Sequence, residues 1–287
     1  MASETHEIHI DALLPAEMAV RAEGIGMRKA AMPFWTVLTL AILAGAFIAL
    51  GAIFSTTVAA GLSGVVPFGI ARLLIGIAFC LGLILVVVGG AELFTGNNLI
   101  VMAWAGGKVS TLSLARNWII VYLGNFAGSI GTALLMFFTK QYTFGGGAVG
   151  VAALSIANNK VLLGWVQAVF LGIMCNVLVC LAVWMTYSAR STIDKIFAIV
   201  FPISAFVAAS FEHSVANMYF IPMGLLIKEF DPTYTASTEL ALENLTWPNF
   251  LVNNLLPVTI GNIIGGAVLV AIVYWFVFLR HASKERT

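Results

Sequence analysis

The chain has 287 residues, of which 61% are hydrophobic and only 9% charged, with a formal net charge of +1. A soluble domain carries about 25% charged residues, so an ordinary water-facing surface is excluded. The near-neutral balance, with no basic tract, excludes a polyanionic partner such as nucleic acid. Mean hydropathy is +1.01, which points to one compact helical bundle in a membrane.

The first residues, MASETHEIHIDALLPAEMA, are acidic and lack an apolar core preceded by positive charge, so they do not read as a signal peptide. Residues 10–30 mix charges with Leu13, Leu14, Met18 and Val20, the pattern of an amphipathic helix lying at the cytoplasmic surface. The expected organisation is a cytoplasmic arm over 1–30, a six-helix transmembrane domain over 31–280 and a cytoplasmic tail over 281–287.

Charged residues fence six apolar runs, each long enough for the roughly 20 residues that a crossing needs. The first is 34–60. The others lie between Arg72 and Lys108, Arg116 and Lys140, Lys160 and Arg190, Lys195 and Lys228, and Glu243 and Arg280. Pro248 suits the first turn of the sixth. The runs do not alternate, so a transmembrane β-barrel is a poor fit. Lys and Arg divide ten to four between the two sets of loops. The richer set holds Arg28, Lys29, Lys108, Arg190 and Arg280, which places both termini in the cytoplasm. Trp35, Trp104, Trp118 and Trp247 fall near span ends, as an aromatic belt requires. Cys80, Cys175 and Cys180 each sit inside an apolar run without metal-ligand spacing. They read as buried thiols, and neither a metal nor a cofactor is expected.

Spans 2 and 5 each carry a lone acid near the middle. GAELFTGN (90–97) and SFEHSVAN (210–217) align Glu92 with Glu212 and Asn97 with Asn217. Spans 3 and 6 add GNFAG (124–128) and GNIIG (261–265). The chain therefore repeats, spans 1–3 against spans 4–6. Three is odd, so the second copy is inverted. In such folds the site lies near the midplane, at paired discontinuous helices. A helix N-terminus exposed at a break favours an anion. Glu92 and Glu212 would repel an anion, so they are expected to accept amides freed at the breaks. Asn97, Asn217, Asn125 and Asn262 are expected to be structural.

His213 is the one histidine at membrane depth; His6, His9 and His281 lie in the tails. An ionisable residue at a midplane break is a functional candidate, and imidazole exchanges protons near neutrality. Thr95 and Asn176 are polar groups that could share a pore with it. Two rivals of other classes are a channel for neutral solutes (water, glycerol, ammonia) and an intramembrane hydrolase using Ser210 or Ser214. The second is geometrically poor, because adjacent helical residues do not face each other.

VVGGAELFTG (87–96), GIMCNVLVCLA (172–182), and FEHSVANM (211–218) followed by IPMG (221–224) resemble the signature segments of the formate/nitrite transporters. The likeness runs from LLPAEMA (13–19) to VTIGNIIGG in span 6. The resemblance implies an all-α, aquaporin-like protomer with helices 2 and 5 broken, assembled as a pentamer with one pore per protomer. It implies a transporter, not an enzyme. By carry-over, His213 is the central pore histidine, Thr95 lies in the loop that breaks helix 2, Asn176 is a pore polar group and Lys160 is the basic residue of the outer vestibule. Phe79, Leu83, Leu93, Val179 and Phe206 would form the hydrophobic constrictions. The substrates implied are small anions: formate first, then nitrite, hydrosulfide or acetate. Gly96-Asn97-Asn98 departs from the Ser and Thr of formate channels, while the arm and IPMG lean towards formate. The expected mechanism is weak-acid passage. Lys160 draws the anion in, a proton is taken up near His213, and the neutral acid crosses the apolar constriction at much lower desolvation cost. The arm is a candidate pH-responsive gate.

Overall fold

A computed structural model describes residues 12–62 and 64–280. His6, His9, His281 and the expected tail over 281–287 lie outside them. The described chain is helical throughout, and five helices are long and apolar enough to cross a membrane. These are α2 (Phe34–Ala59), α3 (Phe68–Gly89), α5 (Thr111–Phe138), α7 (Trp165–Thr186) and α11 (Asn249–Phe278). Pro248 stands at the N-cap of α11, one residue before it begins. The fifth expected run is divided at residues 209–213 into α8 (Thr192–Ala208) and α9 (Ser214–Phe230), neither long enough alone. The second run is divided too: α3 ends at Gly89, and a 3-10 turn (Gly96–Ile100) leads into the short α4 (Val101–Ala105). Three further helices complete the fold: α1 (Pro15–Ala31), α6 (Ala148–Val161) and α10 (Pro232–Ser237).

The two breaks are built alike. At the first, Gly90 turns left-handed at φ 78°, and the Ala91 amide returns to the Val86 carbonyl. At the second, Ser210 turns at φ 59°, and the Phe211 amide returns to Phe206. This left-handed cap satisfies a terminal carbonyl and throws the chain off the helix axis. Glycine takes that conformation freely, whereas serine does so at a cost.

Packing follows the same duplication. The helix pairs α2–α5 and α2–α3 in the first half match α7–α11 and α7–α8 in the second, and α3 meets α8 across the centre. Glycines let these pairs close. A Cβ on Gly45 or Gly128 would overlap the backbone carbonyls of Asn125 or Ile42, and one on Gly261 would overlap that of Val169. In lipid there is little hydrophobic drive between helices, so such close contact does the holding. Gly261→Ala is therefore expected to cost about 1–3 kcal/mol through forced separation of α7 and α11. Thermal unfolding in detergent checks this; an unchanged midpoint would show that the pair parts freely.

α1 is not an isolated surface helix. It buries Met18, Ala19, Ala22, Glu23, Gly26 and Ala30. Gly26 lies against Ile100 and Ala103, Glu23 pairs with Lys108, and Ser188 Oγ donates to the Leu13 carbonyl. The three cysteines are free and buried.

Candidate functional site

The backbone groups freed at each break are held by one asparagine from the neighbouring long helix. Asn125 accepts the Phe94 amide at 2.9 Å and donates to the carbonyls of Ala41 and Glu92 at 2.8 and 2.9 Å. Asn262 accepts the Ser214 amide at 2.9 Å and donates to Gly172 and Glu212 at 2.8 and 3.0 Å. This corrects the expectation for Glu92 and Glu212, whose carboxylates accept no backbone amide among the described residues. The reason is chemical: a break offers both amides and carbonyls, and a carboxamide both accepts and donates whereas a carboxylate only accepts.

The acids instead close two buried ion-pair networks. Glu92 Oε1 lies 2.8 Å from Lys29 Nζ, and its Oε2 accepts from Asn97 Nδ2 at 2.7 Å. Asn97 Nδ2 also donates to Asn117 Oδ1 at 3.0 Å, and Asn117 returns a bond to the Lys29 carbonyl at 3.1 Å. Glu212 repeats the pattern with Lys160 at 2.8 Å and Asn217 at 2.7 Å. There Asn217 donates to Asn254 at 2.7 Å, and Asn254 donates to the Lys160 carbonyl at 2.8 Å. The carboxylates are buried and the lysines partly so; such pairs are stable only when the remaining lone pairs are also filled, and here the asparagines fill them. The copies differ in two bonds, one of them a contact of Asn254 Nδ2 to Glu212 Oε2 at 3.4 Å that Asn117 does not make to Glu92. Lys29 also donates to Asn97 Oδ1 at 2.8 Å, whereas Asn217 Oδ1 has no partner.

Between the two networks the breaks meet. Thr95 Oγ1 and His213 Nε2 are 2.9 Å apart, and both residues are buried. His213 also caps α9: its Nδ1 accepts the Ala216 amide at 3.1 Å. An accepting Nδ1 leaves the ring proton on Nε2, so a neutral imidazole donates to the Thr95 hydroxyl. Asn176 meets the histidine's partner and not the ring. Its Nδ2 donates to the carbonyls of Asn262 at 2.6 Å and Thr95 at 3.3 Å.

Two cavities approach this contact and share no lining residue. The larger, about 430 Å³, is lined by Lys160, Glu212, His213, Phe79 and Phe206, together with Arg72 and Phe220. The smaller, about 190 Å³, lies on the α1 side and is lined by Lys29, Glu92, Asn97, Leu83 and Leu93. The Phe79 and Phe206 rings meet edge to face at 5.7 Å, and Phe206 stacks on His213 at 6.0 Å. Val179 and Asn176 are fully buried and line neither cavity. No group of His, Cys, Asp and Glu among the described residues could hold a metal.

Sequence comparison matches residues 16–276 to the family described as formate/nitrite transporter. The chain belongs to the formate/nitrite transporter family. Among relatives of this transporter, the formate channel FocA of Escherichia coli strain K12 is 48% identical over 274 residues, covering 94% of this chain and 96% of its own. The formate channel FocA of Haemophilus influenzae is 41% identical, with 99% of each chain covered. A solved structure described as a pentameric formate channel with formate bound superposes with a TM-score of 0.81 at 45% identity, over 86% of this chain and 98% of that one.

Of the residues singled out from sequence, the transporter's fold brings His213, Thr95, Lys160, Phe79 and Phe206 together around the larger cavity and its floor. It sets Leu83 and Leu93 on the other side. Four residues were missed: Lys29, Arg72, Asn117 and Asn254. Extending the GN alignment back eight positions would have found two of them, since NWIIVYLGN (117–125) and NLLPVTIGN (254–262) begin on the paired asparagines.

Proposed function

We propose that this protein is a channel for small monovalent weak-acid anions, with formate the principal substrate. The observation that carries the reading is the Thr95–His213 hydrogen bond, set between two cation-bearing cavities and backed by the Phe79–Phe206 pair. The names of the relatives point the same way. The protomer spans the membrane six times as two inverted three-helix repeats, aquaporin-like, with the arm, channel domain and tail at 1–30, 31–280 and 281–287. It assembles as a homopentamer in the bacterial inner membrane with both termini cytoplasmic.

The anion enters through a vestibule on each side, one lined by Lys160 and the other by Lys29. Its charge is costly to carry past the phenylalanine rings. Low dielectric raises a carboxyl group's proton affinity, so the substrate crosses as the neutral acid. The neutral His213 geometry suits a hydrogen-bond donor better than a proton source. A second proton on the ring would displace the Ala216 amide from Nδ1 and uncap α9.

Flux into proteoliposomes carrying an internal pH dye tests this with formate, nitrite and hydrosulfide. Saturable formate uptake with co-moving protons is expected, and His213→Asn should slow it by roughly a hundredfold, the lower end of what a positioned donor contributes. Formate flux without protons would overturn the weak-acid route. Flux of nitrite or hydrosulfide alone would keep the family and move the substrate. Water permeation without anion flux would favour the neutral-solute channel.

A further inference from the structure

The larger cavity holds a cation that the symmetry of the networks does not explain. Arg72, near the N-terminus of α3, lines it beside Lys160, Glu212 and His213. Lys160 is bound to Glu212 at 2.8 Å and lies over the Phe220 ring at 5.4 Å, so its charge is already matched. Arg72 makes no ion pair among the described residues. Its guanidinium donates only to carbonyls, those of Val207 and Ala208, the Ala208 contact being 3.3 Å. These carbonyls end α8, where the helix dipole carries about half a negative charge. The N-terminus of α9, starting at Ser214, carries about half a positive charge on the same cavity wall. The helix ends cancel. What remains is two cations against one carboxylate, a net charge of one positive. The cavity on the α1 side has Lys29 against Glu92 and no further charged residue in its lining, so it nets zero.

We propose that Arg72 is the capture residue of the mouth opposite α1: the second cation it adds to the Lys160–Glu212 pair leaves that cavity net positive and concentrates the anion there. The proposal rests on the channel reading. It makes the two mouths unequal, one electrostatically focused and the other neutral. A focused cleft raises the local concentration of its ligand and loses that advantage as salt rises. The mouth opposite α1 therefore half-saturates at lower formate than the α1 mouth at low ionic strength, and the two converge at high salt. Arg72 also fastens the end of α8 five residues before His213, a positioning role that a charge-free replacement would lose as well.

The experiment measures initial formate flux against concentration, at low and high salt, in vesicles whose sidedness is scored by protease cleavage of an N-terminal tag. In the wild type, half-saturation from the mouth opposite α1 should rise with salt, while that from the α1 mouth stays constant. Arg72→Gln should raise half-saturation from its own mouth roughly three- to tenfold at low salt, abolish the salt response there and leave the other mouth alone. Arg72→Lys should restore both, because it keeps the charge and gives up the fork. Equal salt responses from both mouths of the wild type overturn the proposal, whatever the variants do. So does an Arg72→Lys protein as impaired as Arg72→Gln, or a loss confined to maximal rate in both directions; either makes Arg72 a cap of α8. Loss of all anion flux in the wild type would instead remove the channel reading on which this one stands.

Discussion

Asn262→Leu should destabilise the protein by about 3–5 kcal/mol and abolish formate flux. An interhelical hydrogen bond in a membrane averages only about 0.6 kcal/mol, so losing three ordinary bonds would cost about 2. Asn262 is worth more because the Ser214 amide is buried and has no other acceptor. Leaving a buried donor unpaired adds about 1–3 kcal/mol. Flux goes with stability here, since the residue released is the one directly after His213. Asn262→Asp keeps the acceptor and discards both donors, so it should fall between the wild type and the leucine variant. Thermal unfolding of the three proteins in detergent gives the order. A leucine variant within about 1 kcal/mol of wild type would mean that Ser214 finds another partner and that α9 does not depend on α11.

The second large effect is expected at Glu212. Glu212→Leu strands the Lys160 ammonium, which is only 15% exposed, and removing one member of a buried ion pair costs about 3–5 kcal/mol. Glu212→Leu combined with Lys160→Met removes both charges and should recover most of that loss, because an apolar pair of similar volume replaces a buried ion pair at little cost. Glu212→Gln should be milder than the leucine variant, as a carboxamide can still accept from Asn217. Unfolding midpoints for the two single variants and the double variant form the cycle. If the double variant is no more stable than Glu212→Leu alone, the carboxylate serves Asn217 and Asn254 rather than the lysine.

The sequence revealed the frame of this protein because membrane crossings leave a compositional signal. Runs without charge can be counted, and lone acids inside them mark the interruptions. The pairing of Glu92 with Glu212 and of Asn125 with Asn262 was legible because each pair recurs at a fixed spacing, Glu and Asn five apart in one case and Gly-Asn followed by Gly in the other. What those residues touch was not. Glu92 finds Lys29 across 63 positions and Glu212 finds Lys160 across 52, distances at which nothing local in the sequence marks a partner. A carboxylate near a break looked like an acceptor for the amides there. The structure gives that work to asparagines from another helix, which close packing at Gly124 and Gly261 brings within reach. Arg72 was visible only as a fence between spans. Its importance lies in a charge count around a cavity, and that count exists only after folding.

The placement of the two lysines has a consequence for how the chain is made. In each half the lysine is synthesised before its glutamate: Lys29 before Glu92, and Lys160 before Glu212. A carboxylate delivered alone into the bilayer costs about 2.5–3.5 kcal/mol on the scale set by the insertion machinery for aspartate. Vectorial synthesis spares this chain that step, because the cation has already left the ribosome when the acid arrives. The locking asparagines at 117 and 125, and at 254 and 262, come last in each half. Each half thus emerges in the order counter-ion, acid, clasp, and the interrupted helix is never the final element awaiting a partner.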